Sequence, residues 1–195
     1  MSTIHHQAAE GVAVSATDPQ NESPSSFAYR ALAALRVGFG LTFLWAFFDK
    51  LLALGFSTGR ADDGTVDRFG DAAWINGASP TEGFLGFGAD GPFKGFYNGI
   101  AGSPVVDVLF MLGLLGIGLT LTLGIGMRLG ASAGGLLYVM MWTVALPPAN
   151  HPVLDEHILG AITMIVLLGF HAGNVWGFGK RWTSTDLVDR VPVLR

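Results

Sequence analysis

Polar residues fill the first 28 positions, and long apolar blocks then take over. A membrane-crossing helix needs about 20 mostly apolar residues. Four windows qualify, at about Tyr29–Leu54, Val105–Ile125, Leu129–Leu146 and Val153–Ala172. Each is bounded by a breaker: Gly55, Pro104, Gly126, Pro147-Pro148 with Pro152, and Gly173. The pattern predicts an all-α integral membrane protein, a four-transmembrane-helix bundle spanning 29–173. A long insertion, residues 55–103, separates the first two helices. Residues 1–28 read as a disordered tail and 174–195 as a short C-terminal tail. The start is not that of a signal peptide, because no basic stretch leads into a short apolar run.

The insertion carries acids (Asp62, Asp63, Asp67, Asp71, Glu82, Asp90) and aromatics including Trp74, Phe84, Phe87 and Tyr97. A structureless loop of this length is unusual in a compact protein. It is therefore expected to fold onto the membrane face as a cap. Simple interfacial anchoring is the competing reading.

Composition sharpens the class. Half of the 195 residues are hydrophobic and 13% are charged, against about 25% charged in a soluble domain. Mean hydropathy is +0.48, so a soluble or disordered chain is a poor fit. Glycine is abundant at 28 residues but has no G-X-Y period, which excludes collagen. A net charge of −4 leaves no footprint for nucleic acid. There is no cysteine, so this chain supplies no disulfide, iron–sulfur ligand, c-type haem attachment or thiol chemistry. Arg30, Arg36, Arg128, Lys180, Arg181, Arg190 and Arg195 flank one side of the spans, and Lys50, Arg60, Arg68 and Lys94 the other. Seven cations against four favour both termini in the cytoplasm of a multi-pass cell-membrane protein, with the insertion outside.

Two stretches echo one another. Ser103-Pro104-Val105-Val106-Asp107 opens the second helix, and His151-Pro152-Val153-Leu154-Asp155 opens the fourth. Arg36-Val37-Gly38 in the first helix and Arg128-Leu129-Gly130 in the third extend the match. Duplicated hairpins would explain it, and so would chance similarity between apolar helices. Both prolines suit a first helical turn, and both aspartates suit the positive end of the helix dipole.

Ionisable groups inside spans point by default to function. Asp49, Lys50, Asp107, Asp155, Glu156 and His157 fall at a similar depth, near the outer surface. Crowded carboxylates raise one another's pKa, and a nearby histidine can exchange protons with them. Capping and snorkelling are the competing reading, and the better one for Glu156. Asp155, His157, Asp49 and Lys50 are the candidate catalytic residues. Trp45, Arg36 and Asp107 are candidate cofactor contacts, with snorkelling to headgroups the alternative for Arg36. His157 is expected to matter more than His171, which reads as interfacial.

His157 and His171 are fourteen residues apart, about 21 Å along a helix, so they cannot hold one haem iron. A metal held by His151, Asp155 and His157 is disfavoured, because one turn rarely aims three side chains inward. Gly130 and Gly134 form a GxxxG, and Gly113, Gly116 and Gly118 form a second small-residue seam. Close helix packing is their default meaning, and self-association a further use.

The chain resembles the DoxX/DoxD family of small four-helix membrane proteins, actinobacterial members most of all. The resemblance runs from about Phe27 to Trp182. It rests on Arg36 and the glycines after it, Asp49-Lys50, "WINGASPTEGFLGF", "GPFKGFYNGIAGSPVVD", "MLGLLGIGLTLTLGIGMRLG", "LPPANHPVLDEHI" and "WGFGKRW". It implies a membrane subunit linked to redox chemistry, as in thiosulfate:quinone oxidoreductase, where DoxD works with a second subunit, DoxA. Segment 174–195 is too short to be a fused DoxA-like part. The expected cofactor is a quinone, ubiquinone or menaquinone, with no haem, flavin or iron–sulfur cluster. The expected partners are the bilayer and a second redox subunit. An apolar slot with Trp45, Asp49, Lys50, Asp155 and His157 at its outer end would serve a quinone. The alternative is a non-catalytic membrane scaffold for redox proteins, or a small transporter.

Overall fold

The structure is a computed structural model that describes residues 25–149 and 151–194. The expected tail therefore lies outside the described residues, except at its last four positions. No strand occurs among the described residues beyond an isolated bridge between Arg60 and Val66. Four longer helices carry the fold: α1 (Ser26–Leu52), α3 (Pro104–Leu123), α4 (Met127–Val144) and α5 (Glu156–Gly169). Three short ones, α2 (Lys94–Ile100), α6 (Gly179–Thr183) and α7 (Asp186–Arg190), complete the α-helices among the described residues. Two of them, α1 and α3, are long and apolar enough to cross a membrane, with mean hydropathy 1.7 and 2.1.

Local chemistry sets the boundaries. Helix α1 begins earlier than the apolar block because the Ser25 hydroxyl accepts from the Ala28 N–H at 3.3 Å and caps it. Pro104 occupies the first turn of α3, where its missing N–H costs nothing. Gly124 and Gly126 both adopt positive φ, 71° and 58°. They make the tight reversal from α3 into α4 without a Cβ penalty. The fourth predicted helix is shortened at both ends. Pro152 does not open it; Asp155 is its N-cap, accepting from the N–H groups of His157 and Ile158. The two echoing aspartates thus play different parts, since Asp107 lies inside the first turn of α3.

Helix α1 packs on α3, α3 on α4 and α4 on α5. Phe43, Met111, Leu114, Leu121 and Met164 form the shared core. Glycines set the close approaches. Gly40 lies against Thr122, Gly118 against Leu44, Gly130 against Thr120, and Gly160 against the Tyr138 ring. Gly113 and Gly116 face open space, so the expected seam on this helix narrows to Gly118. A Cβ at Gly118 would stand 2.9 Å from the Leu44 backbone nitrogen. Gly118→Val is accordingly expected to cost about 1–3 kcal/mol through overpacking, read as a lower thermal midpoint in detergent. Gly116→Val should leave that midpoint nearly unchanged.

The insertion is folded over one end of the bundle. It contains turns at Trp74–Asn76 and Gly91–Phe93, a π-helical turn at Gly83–Phe87, and α2. Leu85, Ala89 and Tyr97 bury themselves against Val144 of α4 in a second, smaller core. At the opposite end, segment 174–194 is not an extended tail. Helices α6 and α7 fold it back, with Val188 fully buried and the Trp182 Nε1–H donating to the Leu194 carbonyl.

Candidate functional site

The cap is fastened by two buried aspartates. At the end of α1 the chain turns through Ala53, and residues 56–57 wrap over Asp49. The Asp49 carboxylate, 1% exposed, accepts from the Phe56 N–H at 3.1 Å, the Ser57 N–H at 2.9 Å and the Ser57 hydroxyl at 2.7 Å. Ser57 Oγ in turn accepts from Lys50 Nζ at 3.1 Å. At the start of α3, Asp107 Oδ1 accepts from the Ser79 hydroxyl at 2.8 Å, the Thr81 hydroxyl at 2.5 Å and the Thr81 N–H at 3.3 Å. A hydrogen bond to an ionised acceptor is worth about 1.5–3 kcal/mol, so each carboxylate is a strong clip for otherwise irregular chain.

Between the cap and the ends of α1, α3 and α4 lies a cavity of about 1000 Å³. Its polar wall is Lys50, Ser57, Thr58, Ser79, Thr81 and Glu82. The rest is mostly apolar, with Phe84, Leu109, Phe110, Leu137, Met140 and Met141 prominent. Tyr97 contributes its ring while its hydroxyl lies 2.5 Å from Thr143 Oγ1, tying α2 to α4. An apolar chamber with a few convergent polar groups is the usual form of a small-molecule site.

The candidates grouped by depth separate in space. Lys50 alone lines the cavity; Asp49 and Asp107 stand one hydrogen bond behind it, through Ser57, Ser79 and Thr81. Asp155 and His157 do not line it; they sit at the start of α5, where the His157 ring stands 6.4 Å from the Tyr138 ring of α4. His157 Nδ1 lies 2.7 Å from Asp155 Oδ2, and Asp155 Oδ1 caps the helix. Ligand atoms of Asp155, Glu156 and His157 fall within 4.8 Å of one another, yet the Asp155 oxygens are already engaged as described.

Trp45 is half-exposed and stacks edge-on with Phe56 at 4.9 Å, so it does not wall the cavity. Arg36 neither snorkels nor lines the cavity; it is fully buried at the opposite end of the bundle. Its guanidinium donates to the carbonyls of Leu121, Thr122, Val175 and Trp176. His171 is exposed and borders a smaller pocket of about 480 Å³ near Arg128 and Trp182.

Ser57, Ser79 and Thr81 were not singled out by sequence reasoning, and Glu82 and Tyr97 were named only as part of the insertion's acidic and aromatic load. Their signal was present in "ASPTEG" and "KGFYNGI", polar punctuation within an aromatic-rich insertion, but it named no partner. No family model, no curated protein and no solved structure matches the chain.

Proposed function

We propose that the chain is a four-helix membrane protein that holds a quinone headgroup beneath its cap and serves as the membrane subunit of a quinone-linked oxidoreductase. The cavity carries this reading: an apolar chamber of about 1000 Å³ whose polar wall holds the Lys50 ammonium and the hydroxyls of Ser57, Thr58, Ser79 and Thr81. The Lys50 ammonium and the Thr58 hydroxyl can donate to the carbonyls of a quinone, while the Ser57, Ser79 and Thr81 hydroxyls donate to Asp49 and Asp107 and hold that wall in place. The resemblance to the DoxX/DoxD family points the same way, toward thiosulfate as donor and a separate second subunit.

Exposed apolar side chains support the bundle. Only 28% and 33% of the apolar windows of α1 and α3 are buried. Leu136 and Val139 on α4, and Leu159, Ile162 and Ile165 on α5, also face outward. A water-facing surface of that kind would be an aggregation liability, whereas lipid matches it. In the proposed orientation the cap is extracytoplasmic. Cysteine introduced at Ser103 or Ala149 is then expected to react with an impermeant thiol reagent on intact cells, and cysteine at Ser184 not to react. The reverse labelling would invert the topology.

The quinone reading is tested by extracting lipid from purified protein and quantifying quinone per chain. Wild type is expected to retain it, and Lys50→Met to retain roughly tenfold less, the equivalent of one lost charge-assisted hydrogen bond. Protein of normal yield without quinone would favour a scaffold role instead. Phe56, Phe69, Ile75, Phe87 and Phe96, exposed on the cap, would then be partner contacts.

A further inference from the structure

We infer that the cavity beneath the cap admits its ligand sideways from the hydrocarbon layer, through a gap between α3 and α4, and that the ligand therefore carries a long hydrocarbon chain that stays in that gap. The inference rests on the quinone reading and specifies how the site is reached and which class of quinone it takes. The packing of α3 on α4 is the source of the gap. It is the least extensive of the three long-helix pairings, and its close contacts lie in the half nearer the Gly124–Gly126 reversal. There Gly130 lies against Thr120 and Gly134 against Ile117. Toward the cap the small residues stop. Helix α4 then presents Leu137, Met140 and Met141, and α3 presents Val106, Leu109 and Phe110, all of them cavity walls.

The helix register opens this space to the outside. On α3, Val105, Leu109 and Leu112 fall on one stripe at helical spacing, and all three are exposed, Leu109 at 65%. On α4, Leu136 and Met140 form the matching stripe, with Met140 44% exposed. Leu109 and Met140 thus belong to the cavity wall and to the outward apolar surface at once. They are the two rims of an opening. The π-helical turn roofs it with Phe84 and Phe87, the latter 86% exposed. Every hydroxyl and charged group of the cavity comes from α1 or the cap, and none from the rims. A molecule crossing the gap meets hydrocarbon first and hydrogen-bond donors last, the order in which an isoprenoid quinone places its head inward and its tail in lipid.

The test uses the full chain in lipid nanodiscs. A long-chain menaquinone or ubiquinone is compared with the corresponding headgroup lacking the chain. The native sequence has no cysteine, so Leu136→Cys, on the outward stripe of α4 but outside the cavity wall, can be labelled at one place, after folding, with a bulky apolar maleimide. The unlabelled variant is expected to bind the long-chain quinone at least about tenfold more tightly than the chainless headgroup, because the chain is buried only in the first case. Labelling is expected to weaken long-chain binding by about tenfold or more while altering headgroup binding less than about twofold. Equal binding of the two probes, or long-chain binding indifferent to the label, overturns sideways admission and leaves the quinone site standing. Failure of the unlabelled protein to bind either probe overturns the quinone reading and this inference together.

Discussion

Arg36→Met is expected to cost about 3–5 kcal/mol, enough to prevent accumulation of a folded chain in most expression systems. The reason lies in the end of α3. A helix leaves its last four carbonyls without intrahelical partners, and in α3 each one has a donor. The Thr120 carbonyl accepts from the Gly124 N–H and the Leu123 carbonyl from the Phe178 N–H. The Leu121 and Thr122 carbonyls are served by Arg36 alone among the described residues. The same guanidinium also holds Val175 and Trp176, so one side chain joins α1, α3 and the segment beyond α5. Its positive charge also faces the negative end of the α3 dipole.

Methionine fills the volume and leaves four carbonyls without this donor, that of Leu121 in a buried position and the other three part-buried. Lysine restores the charge but not the planar fork, so Arg36→Lys is expected to recover less than half of the loss. Size-exclusion profiles and thermal midpoints of the solubilised variants measure both. An Arg36→Met protein with a wild-type midpoint would show that the clamp contributes nothing to stability.

How much of this was legible beforehand depends on range. The apolar blocks that became α1, α3 and α4 are local properties, and their positions follow from composition and breakers to within a few residues. The start of α5 was misplaced because Pro152 gives a strong first-turn signal, while the nearby Asp155 supplies the hydrogen bonds that decide the matter. Depth along the helices was the coordinate that grouped Asp49, Lys50, Asp107 and Asp155, and it is one coordinate only. Adjacent residues on a helix point about 100° apart. Lys50 can therefore reach the cavity while Asp49 turns into the α1–cap junction. The pairing of Asp107 with Ser79 spans 28 residues and depends on how the insertion folds back, which no local pattern encodes. Arg36 was conspicuous as a charge in an apolar helix. Its use as a clamp became visible only once the far ends of α3 and of the C-terminal segment were in place.

The cap's dependence on Asp107 gives the second large effect. Removing the carboxylate leaves the Ser79 and Thr81 hydroxyls and the Thr81 N–H without the acceptor that they share. Thr81 and Asp107 are both buried, so water does not readily replace what is lost. Asp107→Ala is expected to destabilise the closed cap by about 2–4 kcal/mol. The loss is local, because the core formed by Phe43, Met111, Leu114 and Met164 does not involve Asp107. Opening without global unfolding is then the cheaper response. Amide hydrogen exchange over residues 79–87 should accelerate at least about tenfold, with little change in the middle of α3. Asn at this position keeps one acceptor oxygen, so Asp107→Asn should fall between wild type and Asp107→Ala. Retained quinone should decline in the same order, since Ser79, Thr81 and Phe84 all wall the cavity. Asp155→Ala is the control. It removes a carboxylate of comparable depth that caps α5 and touches no cap residue, so protection of 79–87 should survive it. Equal acceleration in the two variants would mean that the cap is not held by Asp107, and that loss of either charge simply loosens the bundle.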